Sequence, residues 1–197
     1  VHDTNFYGLS AQTLGNDKGS LLIEEGIAVN STASLDYSDA EAVKVLGNPT
    51  EGALLLWLKK AGVDYLNLRE SAEVLEELPF STERKYMATI VKSSLFEGKT
   101  ILYVKGAPEI VSGLCKNIEN NVSKTDIENQ LVEYQNQAMR TLGFAYQIID
   151  SKVDVFKDGK VVADNLTFTG VVAISDPVRL DVPAAVAECM NAGINVK

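Results

Sequence analysis

Histidine and cysteine are nearly absent from this chain of 197 residues. It contains one histidine, His2, and two cysteines, Cys115 and Cys189, which lie far apart in the sequence. A Ser-His-Asp triad or a multi-histidine metal site therefore has no well-placed histidine to use. The cysteines have neither the density of a secreted disulfide framework nor the close spacing of a zinc site. The sequence excludes these chemistries and fits a reducing compartment.

Basic side chains and long apolar runs are also scarce. Lysine and arginine number 18 against 27 aspartates and glutamates, a formal charge of −9, which argues against the clustered positive charge that holds nucleic acid. No run approaches the roughly 20 apolar residues of a membrane-spanning helix, and the first ten residues do not resemble a signal peptide. We expect no nucleic-acid partner, no membrane contact by this chain itself, and one globular core.

Hydrophobic periodicity predicts helices in the first half of the chain. Apolar residues recur at helical spacing, and the segments end at glycine or at small polar residues. Ser38 and Glu41 have the spacing of a capping box, which favours a short helix ending at Gly47. The helices predicted in this half cover residues 21–30, 38–47, 49–61 and 66–78.

Period-two alternation predicts strands after Pro79. Residues 86–91 and 100–104 have the pattern of an antiparallel hairpin, and Asp158-Gly159 has that of a hairpin turn. Further strands are expected at 144–149, 161–162 and 166–174, and helices at 107–115, 123–143 and 182–192. Antiparallel strands accompanied by helices indicate an α+β fold, with an antiparallel β-sheet flanked by helices.

Four short runs contain the residue types expected of a binding site. They are Gly47–Leu54 (GNPTEGAL), Pro79–Met87 (PFSTERKYM), Val104–Glu109 (VKGAPE) and Ser175–Arg179 (SDPVR). Taken in this order, they resemble the nucleotide-binding domain of P-type cation-transporting ATPases, most closely the calcium-transporting branch. The Lys-Gly-Ala-Pro-Glu run is the most specific, and the resemblance covers essentially the whole chain.

The resemblance implies a site for the adenine of ATP. Phe80 matches the aromatic that stacks on the base, and Glu51 matches the carboxylate near the adenine amino group. Gly106 matches the residue that lets the backbone approach the ligand, and Leu142 matches one that packs on the base. An aromatic face with a few fixed polar groups is a coherent set for a nucleotide base.

The resemblance also implies cations for the phosphates. Lys85 and Lys105 match two lysines that line the pocket, and Arg140 matches the arginine that meets the polyphosphate. Thr82 stands where calcium pumps often carry a basic residue, so one phosphate contact is expected to be weaker. Mg²⁺ would arrive on the ATP phosphates, because the sequence offers no dedicated carboxylate cage.

Each of these residues also has an ordinary structural explanation. Glu51 suits the third position of a helix capped by Asn48, where its carboxylate would complete a capping box. Phe80 suits a core or edge position, and the two lysines suit solvated strand ends. Gly106 suits a strand-to-helix turn, and Arg140 suits a helix C-terminus. Their joint occurrence in the family's order favours the functional interpretation.

The resemblance implies one cytoplasmic domain of an integral membrane protein. Residues 1–174 would form the nucleotide-binding domain, and 175–197 the hinge and the start of the phosphorylation domain. Asp176 and Arg179 match the hinge motif, in which Val178 replaces a proline. The family's phosphorylated aspartate and its later magnesium-binding aspartates are not in this sequence. We therefore expect a monomeric piece that binds ATP without turning it over, whose partners are the phosphorylation and actuator domains of the parent chain.

Two other functions stay open at this point. One is a regulatory or protein-interaction module that keeps the fold without binding nucleotide. The other is a secreted domain, for which Asn30, Asn121 and Asn165 begin Asn-X-Ser/Thr triplets that are common by chance. The transported ion cannot be read from this sequence, because carboxylates in membrane helices set ion selectivity.

Overall fold

The computed structural model describes residues 3–7, 14, 17–39, 43–119, 122–149, 154–175 and 181–196. Within these residues the helices are α1 (Lys18–Val29), α2 (Pro49–Lys60), α3 (Tyr65–Ser71), α4 (Pro108–Leu114), α5 (Lys124–Asn136) and α6 (Val182–Asn191). The strands are β1 (Asp3–Tyr7), β2 (Ser34–Asp36), β3 (Lys44–Leu46), β4 (Glu73–Leu78), β5 (Tyr86–Lys92), β6 (Thr100–Gly106), β7 (Asn117–Ile118), β8 (Arg140–Ile149), β9 (Phe156–Lys157), β10 (Lys160–Val161) and β11 (Thr167–Ser175).

A seven-stranded sheet forms the centre of the molecule. Six strands follow the order β1-β11-β8-β6-β5-β4, and every neighbouring pair among them is antiparallel. Strand β7 joins β11 in parallel, while β2–β3 and β9–β10 form two small separate pairs. The predicted α+β fold with an antiparallel sheet is therefore confirmed.

Helices cover both faces of this sheet. Along β6, Leu102 and Val104 pack with residues of α4 and α5, including Val111 and Ile127. Residues on the other face of the sheet pack with Leu22 and other residues of α1. Successive strand side chains point to opposite faces. Because both faces are covered, β5 and β6 are buried along almost their whole length.

Several elements lie where the sequence predicts them. The hairpin of β5 and β6 pairs Tyr86 with Gly106 and Lys92 with Thr100. Helix α4 begins at Pro108 as expected, and Asp158-Gly159 forms the turn between β9 and β10. Strand β11 and helix α6 also occupy their predicted segments.

The predicted helix at 38–47 is wrong, because residues 44–46 form strand β3. This strand pairs with β2, with Ser34 opposite Leu46. The N–H of Ser38 donates to the Asp36 carboxylate at 2.8 Å, which forms a turn in place of a helix start. Glu41, the other half of the expected capping box, lies outside the described residues.

The predicted helix at 66–78 is half wrong. Helix α3 ends at Ser71, Ala72 is extended, and residues 73–78 form β4 at the edge of the sheet. Hydrogen bonding to β5, with Leu78 opposite Ala88, outweighs the helix propensity of the glutamates in this segment.

The predicted helix at 123–143 is too long. Ser123 caps α5 with a complete capping box, but α5 ends at Asn136 and Ala138 has a φ of +55°. Strand β8 then starts at Arg140 and pairs with β6 on one side and β11 on the other. The expected position of Arg140 at a helix C-terminus is therefore wrong.

The proposed hinge residues, Asp176 and Arg179, lie outside the described residues, as does Val178. Helix α6 follows this segment and contributes no buried residue. None of the helices in the described ranges is both long enough and apolar enough to cross a membrane.

Candidate functional site

A cleft lies where the start of α2 meets the adjacent ends of β5, β6 and β8. Its volume is about 290 Å³. The lining residues are Asn48, Thr50, Glu51, Phe80, Lys85, Met87, Lys105, Gly106, Ala107, Thr141 and Leu142. Six of the seven residues predicted for the nucleotide site line this cleft, and the seventh, Arg140, contacts its lining residue Thr50.

The cap of α2 fixes the position of Glu51. Asn48 Oδ1 accepts from the N–H of Thr50 at 2.9 Å and from that of Glu51 at 3.4 Å, and Pro49 occupies the first helical position. Glu51 therefore lies in the first turn, as its spacing predicts. Its carboxylate, however, does not complete the predicted capping box and instead contacts residues from two other segments.

A buried ion pair joins Glu51 to Lys105 at the buried end of the cleft, which we call the inner end; the exposed end is the outer end. Lys105 Nζ lies 2.6 Å from Glu51 Oε1, and the two residues are only 4% and 7% exposed. Glu51 Oε2 accepts from the N–H and hydroxyl of Thr32, both at 2.8 Å, and from the N–H of Ala33 at 3.0 Å. The alternative interpretation of Lys105 as an ordinary solvated lysine is therefore wrong.

The electrostatics of this pair follow from its burial. Burial alone raises the pKa of Glu51, but the charge of Lys105 and the hydrogen bonds from Lys105 and Thr32 outweigh it and hold the pKa below its usual value. Burial lowers the pKa of Lys105, and the attraction of Glu51 offsets this only in part. Each charge at the inner end is thus matched by the other.

The turn before β5 places Lys85 at the outer end of the cleft and Phe80 in its wall. The Lys85 N–H donates to the Ser81 carbonyl at 2.7 Å, and Lys85 adopts a left-handed conformation with φ +63°. Its own carbonyl accepts from the Ala107 N–H at 2.9 Å, which ties the turn to the start of α4. The side chains of Phe80, which is 57% exposed, and Lys85 are accessible to solvent.

Gly106 lies against the protein's own backbone. A Cβ at this position would come within 2.3 Å of the Lys85 carbonyl oxygen and 2.6 Å of the Tyr86 Cα. On β8, Gly143 lies opposite Gly106, and a Cβ on Gly143 would come within 2.8 Å of the Pro108 Cα. The absence of a side chain at Gly106 is therefore explained by the packing of β5 on β6, without a ligand.

Strand β8 contributes two of the predicted residues. Arg140 is exposed, and its Nη1 makes a long hydrogen bond to Thr50 Oγ1 at 3.4 Å. Leu142 is partly buried and packs against the cluster formed by α1, α2 and α3. The guanidinium thus stands beside the cleft, and the leucine forms part of its wall.

Comparison with known protein families gives a match over most of the chain. The model of the family described as P-type ATPase, cytoplasmic domain N, matches residues 20–181. The chain belongs to this N-domain family. The resemblance stated from its motifs is therefore confirmed.

Relatives of this N domain include several calcium-transporting ATPases. Calcium-transporting ATPase PAT1 of Dictyostelium discoideum is 35% identical over 184 residues, which is 89% of this chain and 16% of that protein. Calcium-transporting ATPase 1 of Lactococcus lactis is 32% identical over 168 residues, or 81% of this chain and 18% of that protein. The chain thus spans less than a fifth of the length of these relatives.

Some cleft residues of the N domain escape prediction from the sequence. Asn48 and Met87 belong to two of the four short runs but receive no predicted role in the site, and Thr141 falls in the segment predicted as helix. Thr32 lies 19 positions from Glu51 and reaches it only through the fold. No local spacing could have indicated that contact.

The described residues of the N domain offer no evident metal cage. In the part of the chain that the structure describes, no group of three or more histidine, cysteine, aspartate or glutamate residues could hold a metal ion. The donors lining the cleft are cationic or neutral, apart from Glu51, which is already paired. This donor set fits Mg²⁺ only if the metal is carried by another ligand.

Proposed function

We propose that this N domain binds ATP in the cleft, with the adenine against Phe80. The exposure of Phe80 carries the proposal, because a solvent-accessible aromatic that lines a cleft offers a stacking face to a base. Leu142 supplies an apolar wall, and Glu51 and Lys105 supply one acceptor and one donor at the inner end. Few convergent polar groups in a largely apolar cleft are typical of small-molecule sites.

The distribution of charge supports one orientation of the nucleotide. The inner end is a matched ion pair, which suits an uncharged base. Lys85 is exposed at the outer end, and the exposed Arg140 lies beside the cleft at Thr50, so both cations would face the phosphates. Mg²⁺ would be carried in by the phosphates. These local cations explain how a chain of net charge −9 could bind a polyanion.

We further propose that the domain positions ATP for transfer of its γ-phosphoryl group to an aspartate outside this chain. Positioning and charge complementarity dominate phosphoryl transfer, so a domain that only holds the nucleotide contributes to the rate. The names of the relatives favour calcium transport by the parent protein. This piece alone would bind ATP without hydrolysing it.

The domain boundary is part of the same proposal. Residues 1–174 would form the nucleotide-binding domain, and 175–197, with Asp176 and Arg179, would lead into the phosphorylation domain. The end of β11 at Ser175 and the lack of any buried residue in α6 support this division. The partners would be the phosphorylation and actuator domains of the parent chain.

Calorimetric titration of the chain with MgATP tests the proposal, with Phe80→Ala as the decisive variant. We expect saturable binding by the unchanged chain and a loss of about 1–3 kcal/mol in Phe80→Ala, roughly 5- to 150-fold in Kd. Val132→Ala is the matched control, because Val132 is an equally exposed apolar residue on α5 and does not line the cleft.

Two results would contradict the proposal. Absence of saturable binding at millimolar ATP would favour the alternative, a module that keeps the fold and has lost nucleotide binding. Equal losses of affinity in Phe80→Ala and Val132→Ala would show that Phe80 has no direct role in the cleft.

A further inference from the structure

The carboxylate of Glu51 is held almost entirely by the protein. Its Oε2 atom receives three hydrogen bonds, from the Thr32 N–H, the Thr32 hydroxyl and the Ala33 N–H. Its Oε1 atom receives the Lys105 ammonium at 2.6 Å. A carboxylate has about four acceptor sites, so Oε2 is occupied and any further donor must share Oε1 with Lys105.

The segment that supplies the three donors is itself anchored. Arg69 Nε donates to the Ala28 carbonyl at 2.8 Å, and its Nη1 donates to the Ala33 carbonyl at 3.1 Å. The Leu35 N–H donates to the buried Tyr65 hydroxyl at 2.9 Å. These bonds fix residues 28–35 against α3, so the donors to Glu51 are in place before a ligand arrives.

The Thr32 hydroxyl is the one side-chain donor among the three groups on Oε2. Both backbone N–H groups would remain after its removal, but the carboxylate would lose one of its charge-assisted bonds. Because Glu51 is buried, the lost bond would not be replaced readily by bulk water. The carboxylate would then be freer to turn and easier to protonate.

We propose that Thr32 is a positioning residue that fixes the Glu51 carboxylate so that Oε1 alone serves the ligand, which sets a preference for a purine with an amino group at position 6. This inference rests on the proposed function. Adenine would donate its amino group to Oε1, whereas guanine places a carbonyl oxygen at the corresponding position and would be repelled by the fixed carboxylate. Thr32 acts through Glu51 and does not touch the base.

The test compares Thr32→Val, which removes the hydroxyl at nearly constant volume, with Thr32→Ser, which keeps it. Calorimetry with ATP and GTP gives the ratio of the two affinities for each chain. We expect Thr32→Val to weaken ATP binding roughly tenfold with a smaller change for GTP, and Thr32→Ser to restore the unmodified ratio.

Tyr65→Phe controls for loosening of the segment. This variant removes the acceptor of the Leu35 N–H and leaves every donor to Glu51 in place. We expect a lower midpoint of urea unfolding in Tyr65→Phe and an unchanged ratio of ATP to GTP affinity. A ratio unchanged in Thr32→Val, or changed equally in Tyr65→Phe, would overturn the inference.

A second readout needs no nucleotide. The titration of the Glu51 side-chain carboxyl, followed by carbon NMR, should move to higher pH in Thr32→Val and stay in place in Thr32→Ser and Tyr65→Phe. An unmoved titration in Thr32→Val would overturn the positioning role even if ATP binds. Failure of the unmodified chain to bind ATP, with the titration moving as expected, would instead reject the proposed function and the base preference while leaving the positioning of Glu51 established.

Discussion

The two ends of the cleft use the same residue types in different ways. Lys105 at the inner end is buried and paired with Glu51, whereas Lys85 at the outer end is exposed and has no ion-pair partner among the described residues. The resemblance implies that both lysines line the same pocket. The difference teaches that a lysine of the inner end is part of the packed protein, whereas a lysine of the outer end is left accessible for the proposed ligand.

The largest effect is expected from breaking the inner pair. Lys105→Met leaves the Glu51 carboxylate buried without its counter-charge, and single breaks of buried pairs cost about 3–5 kcal/mol. Urea unfolding of the variant should show this loss of stability. Motif reasoning alone would have predicted weaker binding with little loss of stability, and the burial of the pair changes that expectation.

The double variant Lys105→Met with Glu51→Gln is the control for this prediction. It removes both charges, so part of the stability lost in Lys105→Met should return. If Lys105→Met unfolded at the same urea concentration as the unmodified chain, the inner and outer lysines would be equivalent and the comparison would fail.

A smaller effect is expected from adding a side chain at Gly106. Its Cβ would lie 2.3 Å from the Lys85 carbonyl oxygen, and overpacking of this kind costs about 1–3 kcal/mol. Gly113→Ala in α4 is the matched control, because nothing lies within 4 Å of its Cβ. We expect thermal unfolding to show a loss for Gly106→Ala and a neutral or slightly stabilising change for Gly113→Ala. Equal midpoints in the two variants would contradict this view of Gly106.

The smallest effect on stability is expected at the outer end. Lys85→Met and Arg140→Gln should each change the free energy of unfolding by less than about 0.5 kcal/mol. Each should weaken MgATP binding severalfold, more strongly at low salt than at high salt, because exposed charges are screened. Affinity for adenosine, which has no phosphates, should not change.

Lys99→Met provides the control for the outer cations. Lys99 is exposed in the loop between β5 and β6, at the far end of that hairpin from Gly106. The Lys99→Met variant changes the net charge by the same amount as Lys85→Met, but the substituted residue does not line the cleft. If Lys99→Met weakened binding equally, the effect would come from overall charge and not from position.

Local patterns account for much of the fold, and the resemblance identifies six of the residues that line the cleft. Asn48 and Pro49 predict the start of α2, and the alternation in 86–91 predicts β5, because these signals depend on neighbouring residues. Residues 73–78 and 140–143 are misassigned as helix because pairing with distant strands decides their conformation. Tertiary contacts override propensity most easily where propensity is ambiguous.

The partners of the site residues could not be predicted in the same way. The sequence identifies Glu51 and Lys105 separately, yet the pair exists only because α2 packs beside the end of β6. The contact from Thr32 likewise depends on where the end of α1 places residues 30–33. Motifs thus indicate which residues matter, and the three-dimensional arrangement determines what each one does.

The pairing of β1 with β11 has a mechanical consequence. Asp3 lies opposite Ser175, so the first and last strands of the sheet run side by side at one edge. These two strands belong to the same sheet as β5, β6 and β8, whose ends line the cleft. A rotation applied to both strands together would therefore move the cleft with the sheet.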